Sequence, residues 1–210
     1  MLVLGVGSFL IRNLRPSQDS EGFVSSKVQL REVKIGLLAT ARSLQKEMDR
    51  LAMEADTDSP QGLAALLQNV TLSLVRHEDY WVYAQTQSRT LSREEAEQAF
   101  YQESLQERSK FSVETLTRMN GSVQQKTASL TKEKEIGEYL VVTLLVALEG
   151  MSGTLPVVDS ASGLRRSLLE LGSTSADRLV AVEILWTPQQ EGDTLTAEQL
   201  LLEYPQMRRL

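Results

Sequence analysis

The run Tyr139–Leu148, YLVVTLLVAL, restricts the fold of this chain more than any other segment. Its apolar residues occupy both parities, so a strand with one wet face does not account for it. The Val-Val-Thr content favours a central strand buried on both faces over a helix. At ten residues it is also too short to span a bilayer, which takes about 20 residues in a helix. A central strand covered on both faces calls for partner strands and helical layers, and the remaining sequence supplies both.

Val33, Ile35 and Leu37 alternate with polar or small residues as a half-buried strand does, and Val28 and Leu30 extend it. From residue 38 the period changes: Leu37, Leu38, Ala41, Leu44, Met48, Leu51, Ala52 and Ala55 recur at steps of three and four, predicting an amphipathic helix. Asp56-Thr-Asp-Ser-Pro60 stops it and starts another, with Ser59 as N-cap and Pro60 at the first helical position. Leu63, Leu66, Leu67, Val70, Leu74 and Val75 carry that second helix, so residues 38–77 are expected to form an antiparallel helix hairpin. Glu78–Thr86 fits either a short strand or an extended packed loop. Ser92-Arg-Glu-Glu95 has capping-box spacing and opens a helical stretch with Ala96, Ala99 and Phe100 on one side; helical character is expected to resume through Phe111 and Leu116 and to end at Asn120-Gly121. Residues 120–137 are polar and without apolar period, as a mobile loop is. Leu164, Leu168 and Leu171 before Gly172 predict a short helix with a glycine stop, Leu179–Trp186 another inner strand, and Thr196-Ala-Glu-Gln199 a second capping box. Trp186-Thr-Pro188 marks a chain reversal.

The expected architecture is α+β: a small sheet with apolar central strands near 28–37, 139–148 and 179–187, covered by helices. The domain organisation is an apolar segment at 1–14, a linker at 15–27 and one folded domain at 28–210. There is no internal repeat.

Composition removes whole classes of function. The chain has no cysteine, which excludes disulfides, thiolate zinc sites, iron–sulfur clusters and cysteine nucleophiles, and its single histidine leaves little for imidazole chemistry. A net charge of −6 argues against nucleic acid as a main partner. That charge is uneven: residues 1–35 hold five basic and three acidic groups, against 17 and 25 over the rest. No P-loop, H-E-x-x-H or G-x-S-x-G motif occurs, and no cofactor is expected. Gly5-Val6-Gly7 lacks the third glycine of a dinucleotide fingerprint, since Leu10 stands there.

The first segment is MLVLGVGSFLIRNL, apolar from Leu2 to Ile11 and followed by Arg12 and Arg15. Positive charges after the apolar run disfavour a cleaved signal peptide and suit an interfacial anchor on an anionic membrane. Leu2, Leu4, Phe9, Leu10, Ile11, Arg12 and Arg15 are the candidate membrane-contact residues. A frayed or core-docked terminus is the alternative.

Several strings go beyond generic helix and strand patterns. Among them are LLATARSLQ at 37–45, SPQGL at 59–63, LVRH at 74–77 with YWV at 80–82, ERSKFS at 107–112, EYLVVTL at 138–144 and VEILWTPQ at 182–189. In this order, over about residues 28–210, they resemble the domain family of uncharacterised biochemistry found in cyanobacteria and chloroplasts, whose plant member is the fluctuating-light acclimation protein. The resemblance implies association with thylakoid or envelope membranes and a role in photosynthetic acclimation, including photoprotection and ion or proton balance. It implies no catalytic residues. Family members usually have a longer N-terminal region with a transmembrane or targeting segment and a glycine-rich stretch. Here the run is short and the linker holds only Gly22, so the chain reads as a short or trimmed member, membrane-peripheral rather than integral, on the cytoplasmic or stromal face. Its partner is then a membrane surface or a membrane protein of the photosynthetic apparatus.

Candidate sites divide between chemistry and structure. His77 within Arg76-His-Glu-Asp79 could pair with Asp79 for acid–base work, but a helix-end histidine is the better account. Asp56 and Asp58 fit capping better than a calcium loop. Glu107-Arg-Ser-Lys110 reads either as a partner or headgroup patch or as a solvated helix face with an internal ion pair, the second being commoner. Trp81 and Trp186 fit core packing better than pigment binding. His77, Asp79, Arg108 and Lys110 remain the candidate partner or ligand surface. Three functional classes follow: a membrane-associated regulatory or scaffold domain without enzymatic activity, a ligand binder or enzyme with a polar cleft, and a soluble adaptor.

Overall fold

The computed structural model describes residues 27–124, 138–150, 153–188 and 193–210. An antiparallel sheet of five strands forms the middle layer: β1 (Val28–Leu38), β2 (Trp81–Leu91), β3 (Tyr139–Glu149), β4 (Leu179–Thr187) and β5 (Arg208–Arg209), in the order β4-β3-β1-β2-β5. Helices α1 (Arg42–Glu54), α2 (Pro60–Arg76), α3 (Arg93–Gln124), α4 (Ala161–Gly172) and α5 (Ala197–Glu203) complete the described fold. The α+β class read from the sequence holds.

Residues two apart in a strand share a face, and the two faces have separate cores. Val33, Ile35 and Leu37 of β1, with Val142, Leu144 and Val146 of β3, pack under α1, α2 and α4 through Leu44, Met48, Leu67, Leu74, Leu164 and Leu168. On the opposite face, Val28, Leu30 and Leu145 meet Ala96 and Phe100 of α3, while Val141 meets Leu200 of α5, Tyr204 and Met207. Leu144 and Leu145 are each fully buried on opposite faces, and each such leucine contributes about 1.5–3 kcal/mol. This is why YLVVTLLVAL shows no alternation.

The expected strand at 28–37 is present, but its polar face is not wet. Ten of its eleven residues are buried because α3 covers the side that carries Glu32 and Lys34. Leu37 and Leu38 belong to this strand, paired with Leu140 and Tyr139, so the first helix starts at Arg42 rather than at residue 38. Residues 81–91 form a long strand, settling the ambiguous aromatic segment. β4 lies at the end of the sheet order rather than inside it, although all nine of its residues are buried. It ends at a cis Thr187–Pro188 peptide bond. Helix α3 continues to Gln124, past the expected stop at Asn120-Gly121. The rest of the 120–137 segment, the apolar 1–14 segment and the linker to residue 26 lie outside the described residues.

Local sequence signals explain the helix starts. The Ser59 hydroxyl accepts from the Gly62 N–H at 3.0 Å, and Pro60 occupies the first turn. Thr196 and Gln199 form a reciprocal capping box. At α3, the Glu95 carboxylate accepts from the Ser92 N–H at 2.9 Å and from its hydroxyl at 2.8 Å. These two bonds hold the Glu95 carboxyl below its ordinary value of 4.5. A depressed folded-state value gives stability that is present above the ordinary range and lost as pH falls through the folded value. Glu95→Gln keeps the box but cannot titrate. Its urea midpoint is therefore expected to fall less steeply than that of the parent between neutral pH and about pH 3.

The expected glycine stop at Gly172 is a different device. Gly172 is the last helical residue of α4, and a Cβ there would lie 2.2 Å from Thr71 Oγ1 on α2. Glycine lets the two helices approach closely rather than reversing the chain.

Candidate functional site: a charge cluster between the sheet and helix α3

Glu32 and Lys34 project from β1 toward α3, between the two smaller apolar cores of that face. Register brings polar neighbours beside them: Lys34 lies opposite Thr143 on β3, and Leu145, opposite Glu32, is itself opposite Glu183 on β4. Helix α3 adds Glu107, Arg108 and Lys110. Glu107 is the hub: its Oε1 lies 2.9 Å from Lys34 Nζ and 2.7 Å from Lys110 Nζ, and its Oε2 accepts from the Thr143 hydroxyl at 3.3 Å. Lys34 Nζ also reaches Glu32 Oε1 at 2.9 Å. Arg108 directs Nε at 2.8 Å and Nη2 at 2.7 Å to Glu183 Oε1. Lys110 Nζ stands 3.8 Å from the centre of the Tyr204 ring, a cation–π contact that reaches the chain after α5.

Glu107 is 3% exposed, Lys110 9% and Glu183 0%. Charges so deep persist only when paired. The two lysines respond differently. Burial, the largest influence on Lys34, disfavours its charge, but attraction from Glu32 and Glu107 together outweighs it, and the ammonium titrates above its ordinary 10.5. For Lys110 burial prevails over the pull of Glu107, and it titrates below 10.5. The arrangement ties sheet, α3 and the C-terminal region together. Among the described residues no cluster of His, Asp and Glu could hold a metal ion.

A second buried charge lies on the opposite face. Arg31, fully buried, donates to Gln29 Oε1 at 2.8 Å and to Glu170 Oε1 of α4 at 2.7 Å. Both Arg31 and Gln29 also donate to the Gly153 carbonyl, fixing the segment that enters α4.

The four candidate surface residues do not converge. His77 is the C-cap of α2; its ring Nδ1 lies 2.8 Å from the Ser73 carbonyl and Nε2 lies 3.1 Å from the Ser43 hydroxyl. A carbonyl only accepts, so Nδ1 carries a proton, and in the neutral ring Nε2 accepts from the Ser43 hydroxyl. Asp79 follows in a single 3-10 turn. Both residues adjoin α2 on one face of the sheet, whereas Arg108 and Lys110 lie on the other. The stretch 107–110 does contain an internal ion pair, yet its face is packed on the sheet rather than solvated. Trp81 and Trp186 sit in the core with the α1 and α2 leucines. The membrane-contact candidates Leu2 to Arg15 lie outside the described residues.

Sequence reasoning missed Glu32, Lys34 and Glu183, and it placed the Glu107–Lys110 pair on a solvated face rather than a buried one. Glu32 and Lys34 looked like the wet side of an alternating strand. The available signal was complementarity: a Glu-x-Lys pair on a strand and a Glu-x-x-Lys pair on a helix are each charge-balanced and each sit on one face.

Fold and cluster together define a three-layer α+β domain, an antiparallel sheet clad by helices on both faces, with a buried ion-pair cluster between the sheet and α3. The chain belongs to the family described as "Protein of unknown function (DUF1517)", whose model matches residues 27–210. It is 43% identical over 224 aligned positions to Protein FLAP1 homolog A of Synechocystis sp., covering 99% of this chain and 67% of that protein. It is 36% identical over 217 positions to FLUCTUATING-LIGHT-ACCLIMATION protein 1, chloroplastic, of Arabidopsis thaliana, covering 100% of this chain. The chain spans 55% of that plant relative's length. No solved structure matches it. Among the described residues no helix is long and apolar enough to cross a membrane.

Proposed function

We propose that the chain is a non-enzymatic regulatory or scaffold protein of photosynthetic cells, acting in acclimation to changing light through photoprotection or ion and proton balance. The observation that carries this reading is the match of the whole chain to a chloroplast protein named for acclimation to fluctuating light. The separation of His77 and Asp79 from Arg108 and Lys110 by the sheet supports a structural use of these side chains over a shared polar cleft. The apolar segment followed by Arg12 and Arg15 supports peripheral association with a thylakoid membrane, or with the envelope in a plastid, directly or through a membrane-protein partner.

In a photosynthetic host, deleting residues 1–16 is expected to shift the chain from the membrane fraction to the supernatant without altering its circular dichroism. Unchanged membrane recovery would remove the anchor. Loss of the whole chain is expected to slow photosynthetic recovery under fluctuating light and to leave steady-light behaviour unchanged. Equal recovery in both regimes would remove the acclimation role.

A further inference from the structure

Among the described residues the sheet has an unfinished edge. β5 pairs with β2 only at Tyr83 and Ala84, and the Leu210 N–H donates to the Val82 carbonyl at 2.9 Å. The main-chain groups of Val82 and Ala84 therefore point outward, and by strand alternation so do those of Thr86, Ser88 and Thr90. Among the described residues no main-chain hydrogen bond leaves β2 on this side beyond Ala84. The chain before β5 turns away at Pro205–Met207, where the Met207 N–H bonds back to the Tyr204 carbonyl.

That departure opens a groove of about 500 Å³ along Ala84–Gln87, walled by Val157 and Val158 on one side and Pro205–Arg208 on the other. Its first wall is held firmly. The Leu155 N–H donates to Ser88 Oγ at 3.0 Å, Thr86 Oγ1 donates to the Pro156 carbonyl at 2.7 Å, and the Val158 N–H donates to Thr86 Oγ1 at 3.2 Å. These bonds run through side chains and, among the described residues, leave the outward backbone of β2 beyond Ala84 unclaimed. Val157 is nevertheless 69% exposed. The groove's charged lining residue is Arg208, and Arg209 follows it; both are exposed, and neither forms an ion pair among the described residues. They contrast with a chain of net charge −6.

We infer that this edge is a docking site for an extended, acidic peptide segment of a partner protein, which adds as a strand beside Thr86–Thr90 and places its carboxylates on the face of Arg209, away from Val157 and Val158, with Arg208 lining the groove itself. The backbone ladder supplies the pairing, Val157 and Val158 receive apolar side chains, and the arginines select the sign of charge. The inference does not rest on the proposed membrane role, so the failure of either idea leaves the other standing.

The test uses the intact chain and short synthetic peptides alternating valine with glutamate or with lysine, followed by NMR and amide hydrogen exchange. The glutamate peptide is expected to shift and protect the amides of Thr86, Ser88 and Thr90, and the lysine peptide to leave them unchanged. Arg208→Glu with Arg209→Glu should weaken the glutamate peptide about tenfold and admit the lysine peptide. N-methylation of alternate amides in the glutamate peptide should abolish binding while leaving the protein untouched. Three results would overturn the proposal: no binding up to the peptide's solubility limit, binding that leaves these amides unprotected, or protection that rises with protein concentration without peptide. The last would mean that the edge pairs with a second copy of the chain.

Discussion

Glu107→Ala is expected to lower the unfolding free energy by about 3–5 kcal/mol, the range for breaking one partner out of a buried charge pair. The side chain neutralises two ammonium groups at once, and its loss leaves Lys110 against Tyr204 with only the weaker attraction of Glu32, which stays paired to Lys34. Against a typical total of about 5–15 kcal/mol, this is roughly a fifth or more of the stability of a small domain. Urea denaturation at neutral pH should show a lower midpoint at unchanged slope. Lys110→Met should cost less, because Glu107 retains Lys34. The double variant Glu107→Met with Lys110→Met, which removes the pair together, should recover most of the loss. The deficit of Glu107→Ala should also narrow as pH rises toward 10.5. Lys110 already titrates below that value in the folded chain, and losing its carboxylate depresses it further. The unfolded state then binds more protons, so stability climbs with pH across that window. A deficit that stays constant with pH would show that lost packing, not stranded charge, causes the effect.

The parts of this molecule legible in the sequence are those in which neighbouring residues set the structure. The Ser59-Pro60, Ser92-x-x-Glu95 and Thr196-x-x-Gln199 helix starts could be read because capping is a contact over two or three residues. β3 could be read because burial on both faces erases alternation. β1 was misjudged for a related reason: alternation reports which residues are polar, not whether their side is wet, and α3 arrives from more than fifty positions further along the chain to cover Glu32 and Lys34. Arg108 and Glu183 are 75 residues apart in sequence, and no local period announces that pairing. The sheet order was equally hidden. An apolar edge strand such as β4 looks like an inner one when both of its faces are covered. The fold class was accessible because it needs only element types, whereas the charge cluster needs to know which faces meet.

Gly172→Ala, a change that usually stabilises a helix by about 0.5–1 kcal/mol, is expected here to destabilise by about 1–3 kcal/mol through overpacking. The added Cβ would lie 2.2 Å from Thr71 Oγ1 and 3.3 Å from Thr71 Cβ. Thr71 is buried, β-branched and bonded to the Gln68 carbonyl at 2.9 Å, so α4 has to move rather than the threonine. Thr71→Ala removes the offending oxygen. In that background the same glycine substitution should cost less than about 1 kcal/mol, giving a coupling that identifies close helix approach as the cause. If Gly172→Ala costs as much in both backgrounds, the glycine is instead required by its own backbone. The consequence extends beyond the helix pair. Glu170, two residues before the glycine, holds Arg31, and Arg31 with Gln29 holds the Gly153 carbonyl at the start of the segment walling the β2 groove. A shift of α4 loosens that chain of bonds from the helix outward. Amide exchange at Leu155 and Val158 should therefore rise in Gly172→Ala and return toward the parent value in the double variant, while exchange in β3, protected from both faces, stays unchanged.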